Sequence, residues 1–151
     1  MKYISILFIA FMMMITSSCL KTSESQATKD DNIIQDYIKA KNLTAIKHSS
    51  GLYYVIKTEG SGVNPTLANT VSVYYNGYFT NGTVFDGTNT SPATFPLSNL
   101  IAGWQIGIPL IKKGGEIKLL IPSALGYGSQ ARQSIPANSV LIFDIKLADI
   151  K

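Results

Sequence analysis

Cysteine, histidine and tryptophan each occur once in the 151 residues, as Cys19, His48 and Trp104. One cysteine excludes an intrachain disulfide. One histidine, set in AIKHSSG without a motif around it, argues against a Ser-His-Asp arrangement and against a histidine metal site. No glycine-rich phosphate motif follows a strand pattern, so nucleotide binding has no support. Charge is sparse: 13 Lys and Arg stand against 9 Asp and Glu, a net +4. No basic stripe with interleaved aromatics is present, which argues against nucleic acid as a partner. There is no internal repeat and no alternation of strand and helix patterns. The length suits one domain.

The one long apolar run is ISILFIAFMMMI at residues 4–15, with MKY before it and TSSC after it. A positive start, a short apolar stretch and small residues make residues 1–18 a secretory signal; the run is too short for a membrane span. Cys19 directly after Ser17 and Ser18 resembles the lipobox of bacterial lipoproteins, whose cysteine takes a diacylglycerol once the signal is cut. Thr16 departs from it, standing where that box usually carries Leu. The resemblance implies an exported chain, lipid-anchored at the bacterial cell envelope and facing the periplasm or the cell surface. The alternative is a soluble exported protein with an incidental cysteine. Cleavage before Cys19 removes Lys2 and lowers the net charge to +3.

Residues 20–29, LKTSESQATK, have the polar composition of a flexible tether. In DDNIIQDYIKAKNL, Ile33, Ile34, Tyr37 and Ile38 share one helical face, and Asp30 and Asp31 suit the helix start. That short helix either packs on its own domain or makes a dimer contact. Residues 19–47 thus hold the anchor, tether and helix, and 48–151 the folded domain.

From residue 51 the period becomes that of strands. GLYYVIKTEG is one strand, and TVSVYYNGYFTNGTVFDGT carries a hairpin signal at Asn81-Gly82. EIKLLIP and SVLIFDIKLADI are two more. In the last, Val140, Ile142 and Ile145 are set against Leu141, Phe143 and Leu147, so both faces look partly buried. The one good helix candidate of the domain begins near Ala102 and is stopped by Pro109 or soon after. These patterns give an α+β fold, an antiparallel sheet curled around one short helix. Of the carboxylates, Glu59, Glu116, Asp144 and Asp149 read as solvated.

VYYNG, FDG, LIAGW, ALGYG and IPANSVLIFDI, spread from residue 73 to residue 145, together resemble the FKBP family of peptidyl-prolyl cis–trans isomerases. The resemblance covers about residue 50 to the C-terminus. It implies a proline pocket with Tyr75, Asp86, Tyr127 and Phe143 as catalytic residues. Phe85, Phe95, Leu100, Ile101, Trp104 and Ile135 would bind substrate. In this pattern Trp104 is the pocket floor, the Tyr127 hydroxyl bonds a substrate carbonyl, and the Ile101 N–H bonds the carbonyl after the proline. Asp86, expected to be partly buried and ionised, either orders Tyr75 or meets the rotating carbonyl. Two positions depart from the family: Ala93 stands where an aromatic is common, and the loop GSQARQSIPAN is polar beside Ile135. Both bear on substrate preference.

No metal, cofactor or covalent intermediate is called for. The expected partners are proline-containing polypeptides, macrolides of the rapamycin type and, through the lipid, a membrane. The leading function is isomerase action on folding exported proteins. The alternatives are a non-catalytic proline-binding or chaperone module and a structural envelope lipoprotein assembling through the helix at 31–41. The sequence leaves the oligomeric state open.

Overall fold

The computed structural model describes residues 24–151; the expected signal over 1–18 and Cys19 lie outside the described residues. Two helices and seven strands follow in the order α1 (Gln26–Ala40), β1 (Ile46–Lys47), β2 (Tyr53–Thr58), β3 (Thr70–Tyr78), β4 (Val84–Gly87), β5 (Ala93–Pro96), α2 (Ala102–Gly107), β6 (Glu116–Ile121) and β7 (Leu141–Ile150). The strands form one antiparallel sheet in the order β1-β2-β6-β7-β3-β4, with β5 also paired to β3. The expected α+β fold is therefore the observed one. None of the described helices is long and apolar enough to cross a membrane.

The inner face carries the main core. Val71 and Val73 of β3, Ile117, Leu119 and Ile121 of β6, and Leu141, Phe143, Ile145 and Leu147 of β7 gather there under Trp104 and Ile108. Ile145 belongs with Leu141, Phe143 and Leu147, not with Val140 and Ile142: β7 runs through this stretch without a register break, so odd positions share one face. A 3-10 turn at Ile108–Leu110 carrying Pro109 ends α2.

On the outer face α1 seats Ile34, fully buried, against Tyr53, Leu120 and Val140. That burial stabilises the packing by roughly 1.5–3 kcal/mol. The helix thus packs on its own domain. It also begins at Gln26, before the 31–41 span read from the sequence, so residues 26–29 are helix and not flexible tether. Ser25 is the cap, its hydroxyl accepting from the Thr28 N–H at 3.2 Å. The first turn, Gln26–Lys29, is wholly exposed and shows no apolar period. Asp30 and Asp31 consequently lie inside the helix rather than at its start. Asp31 accepts from Lys47 at 2.6 Å and from the Tyr53 hydroxyl at 2.8 Å, tying α1 to the β1–β2 hairpin. His48 sits in that hairpin's turn, its Nδ1 2.9 Å from the Ser50 hydroxyl.

Asp144 is not simply solvated. It holds Lys57 at 2.8 Å and the nearly buried Lys118 at 2.9 Å, and accepts from the Tyr78 hydroxyl at 2.8 Å. Burial pushes its carboxyl up, but the hydrogen bonds from Lys57, Lys118 and Tyr78 outweigh this and hold it below the usual range. Burial first, and the bond to Asp144 second, push the Tyr78 phenol far above its ordinary value.

Candidate active site

The floor comes from α2. Its glycines face β6, where a Cβ on Gly103 would meet Ile121 Cγ2 at 2.6 Å and one on Gly107 would meet Leu119 Cδ2 at 2.5 Å. Both neighbours are fully buried, so only glycine lets the helix lie this close to the sheet. Trp104, between the two glycines, is thereby held upright with its indole 4% exposed.

Three rings stand around it. The Tyr75 ring lies 5.2 Å from the indole at 81°, and the Phe143 ring 5.1 Å from it at 89°, both edge to face. Phe95 stands 6.4 Å from Tyr75. Phe143 owes its place to Gly77, its register partner on β3, where a Cβ would meet Phe143 Cε1 at 2.6 Å.

Tyr75, Asp86, Phe95, Leu100, Ile101, Trp104, Tyr127 and Phe143 line one hollow of about 210 Å³. Eight of the ten residues expected at the site therefore share it. The other two do not line it. Phe85 packs edge to face against Phe143, with ring centres 5.5 Å apart, and meets the Phe79 ring at a tilt of 46° and 4.9 Å. Ile135 is a core residue, 8% exposed. The turn before it, where the Arg132 N–H donates to the Ile135 carbonyl and the Ile135 N–H to the Arg132 carbonyl, folds its side chain inward. Ala93, on the same face of β5 as Phe95, leaves that end of the wall low.

Polar groups are few. Asp86 is the only charged residue of the lining and is exposed, not partly buried as the sequence suggests, because β4 is an edge strand. Its Oδ2 accepts from the Tyr75 hydroxyl at 2.9 Å and its Oδ1 from the Gly87 N–H at 2.8 Å. Asp86 thus orders Tyr75, one of the two roles left open above. Burial, and then the hydrogen bond to Asp86, push the Tyr75 phenol up to about 12, so it is a fixed donor at neutral pH.

Within the lining, the Ile101 N–H, the Tyr127 hydroxyl and the buried Trp104 Nε1–H have no protein acceptor among the described residues. The first two flank the hollow, and Ile101 is extended just before α2 begins. Among the described residues no three His, Cys, Asp or Glu side chains gather to hold a metal. An apolar floor with three aromatic walls and two free donors on its rim suits a small apolar ring carried in a peptide.

The sequence model of the family described as FKBP-type peptidyl-prolyl cis-trans isomerase matches residues 62–148. The chain is similar to the FKBP-type peptidyl-prolyl cis-trans isomerase FkpA of Buchnera aphidicola subsp. Schizaphis graminum, 44% identical over 135 residues, covering 85% of this chain and 54% of that protein. FkpA of Escherichia coli (strain K12) is 38% identical over 146 residues, covering 94% and 54%. The chain spans about half the length of these relatives. The crystal structure of FkpA from Escherichia coli shares its fold with a TM-score of 0.75 at 37% identity, over 83% of this chain and 61% of that one. The crystal structure of AtFKBP13 does so with a TM-score of 0.66 at 31% identity, over 71% and 98%.

Proposed function

This chain belongs to the family of FKBP-type peptidyl-prolyl cis-trans isomerases, and we propose that its aromatic hollow catalyses rotation about Xaa-Pro bonds in folding polypeptides. The observation that carries the reading is the convergence of Tyr75, Phe95, Trp104 and Phe143 on one hollow whose rim offers two free donors. Rotation breaks no covalent bond; its barrier of roughly 18–20 kcal/mol is lost amide resonance. The twisted amide is less dipolar than the planar one, so a water-poor aromatic site favours it over the ground state.

The prolyl ring rests edge-walled on Trp104. The Ile101 N–H holds the carbonyl after the proline and the Tyr127 hydroxyl holds a second carbonyl, so the chain is gripped on both sides of the rotating bond. Asp86 keeps Tyr75 oriented as a wall and donor. Leu100 closes the side toward α2. Ala93 lowers the wall beyond Phe95, which suits a bulkier residue next to the proline.

A polypeptide whose refolding waits on a prolyl bond tests this. Catalytic amounts of the protein are expected to shorten the slow phase, ordinarily on the order of 10–100 s. Binding of a prolyl peptide with an unchanged slow phase would instead make the hollow a proline-binding module. Macrolides of the rapamycin type are proposed to fill the same hollow and abolish the effect.

The export reading is likewise a proposal. The charged start, the short apolar run and Ser17-Ser18-Cys19 support a lipid-anchored envelope protein. Fatty-acid labelling of cells making the parent and Cys19→Ser tests it: label is expected on the parent alone, and label on both would contradict it.

A further inference from the structure

Asp30 is 1% exposed, yet no lysine or arginine pairs with it among the described residues. A buried carboxylate persists only where hydrogen bonds replace its water. Asp30 has three: from Gln26 Nε2 at 2.7 Å, from the Ser123 N–H at 2.7 Å and from the Ser123 hydroxyl at 2.6 Å. Ser123 is itself 2% exposed and opens the 3-10 turn Ser123–Leu125 that follows β6.

What Ser123 does next links α1 to the hollow. Its carbonyl accepts from the Gly126 N–H at 2.9 Å and from the Gly128 N–H at 2.8 Å. Those two glycines bracket Tyr127. Gly128, at φ +59°, turns the chain, and its carbonyl accepts from the Asn138 N–H at 2.8 Å. A continuous relay therefore runs from α1 through one serine to the residues on either side of Tyr127.

We propose that Asp30 is a positioning residue: through Ser123 it fixes the loop that presents the Tyr127 hydroxyl to the hollow, which makes α1 part of the site's frame. Ile34 and the Asp31 bonds to Lys47 and Tyr53 already hold α1 on the sheet. A buried carboxylate aimed at one serine does more, because charge-assisted bonds fix direction as well as distance. The functional consequence rests on reading the hollow as the prolyl site; the relay itself does not.

Hydrogen exchange of the full chain, read by mass spectrometry over residues 124–130, separates positioning from mere stability. Asp30→Ala is expected to speed exchange there by about tenfold or more while β6 and β7 stay slow. Asp30→Asn, which keeps an acceptor for Ser123, is expected to restore most of the protection. Ile34→Ala loosens α1 without touching the carboxylate, and is expected to leave residues 124–130 slow. Should Asp30→Ala not fold, Ser123→Ala is expected to give a smaller change confined to the same residues. Unchanged exchange at 124–130, or an equal rise there and in β6 and β7, would overturn the proposal.

The second readout is kcat/KM on a prolyl peptide. Asp30→Ala is expected to lower it about tenfold in the parent and far less in the Tyr127→Phe background, a coupling that a purely structural role would not produce. Equal losses in both backgrounds would overturn the positioning role. A parent without isomerase activity would sink the functional reading instead, and the exchange result would still decide the relay.

Discussion

Tyr75 and Asp86 meet through a 2.9 Å hydrogen bond across the rim of the hollow, the phenol donating and the carboxylate accepting. The bond joins the interior strand β3 to the edge strand β4, and it fixes a wall that also touches Trp104, Phe95 and Phe143. Removing the acceptor frees the phenol without emptying the wall. Asp86→Ala is therefore expected to lower kcat/KM on a prolyl peptide about tenfold, the worth of one charge-assisted hydrogen bond. Asp86→Asn, which still accepts, should lose less. Equal activity of parent and Asp86→Ala would remove Asp86 from the site.

The same phenol predicts an alkaline effect. Its folded value near 12 lies above the ordinary 10.0, so the fold favours the protonated form. Stability from this source is complete below pH 10 and is lost as pH rises toward 12. Tyr78 is raised as well, so the difference between variants is the informative quantity. Between about pH 9 and about pH 11, the denaturant midpoint of Tyr75→Phe should fall less than that of the parent. A parallel fall would assign the alkaline loss elsewhere.

Gly107→Ala gains helix propensity yet is expected to destabilise the fold by about 1–3 kcal/mol. The added Cβ meets Leu119 Cδ2 at 2.5 Å and Cδ1 at 2.7 Å in a filled core. Tilting of α2 would also disturb Trp104, so its fluorescence should shift. Urea unfolding checks the first and emission the second; a neutral Gly107→Ala would show that α2 has room to spare.

Acid should act through Asp144. Its carboxyl is held below the ordinary 3.8, so the ion pairs it makes are present above that value and are lost as pH falls through the lower, folded one. The parent is expected to lose stability below about pH 4, and Asp144→Asn to lose less over the same range while starting lower. A steeper acid loss in Asp144→Asn than in the parent would contradict this.

How far the sequence was legible depended on how local each signal is. The strands at 116–121 and 141–150 and the Asn81-Gly82 turn announce themselves through period two and a turn dipeptide, and the structure places them there. The start of α1 does not, because its first turn is polar and only the Ser25 cap marks it. The two-residue β1 is too short for any pattern. Asp30 finds its partner 93 residues away, beyond any local reading.

The site divides the same way. Motif order brings eight residues to one hollow, but the displacement of Phe85 and Ile135 depends on how Phe143 and the 132–135 turn pack in three dimensions. Glycines 77, 103 and 107 were visible as residues and silent as spacers. Their meaning is a close approach to Phe143, Ile121 and Leu119 that only the folded chain shows.

The most direct test is exchange spectroscopy on a short Xaa-Pro peptide with the chain beginning at Leu20, beside its Tyr127→Phe and Phe143→Ala variants. The parent should bring cis–trans exchange from the uncatalysed 10–100 s range to well under about a second, with both variants slower and still folded. A folded parent that binds the peptide at Trp104 while exchange keeps its uncatalysed rate would contradict catalysis by this hollow.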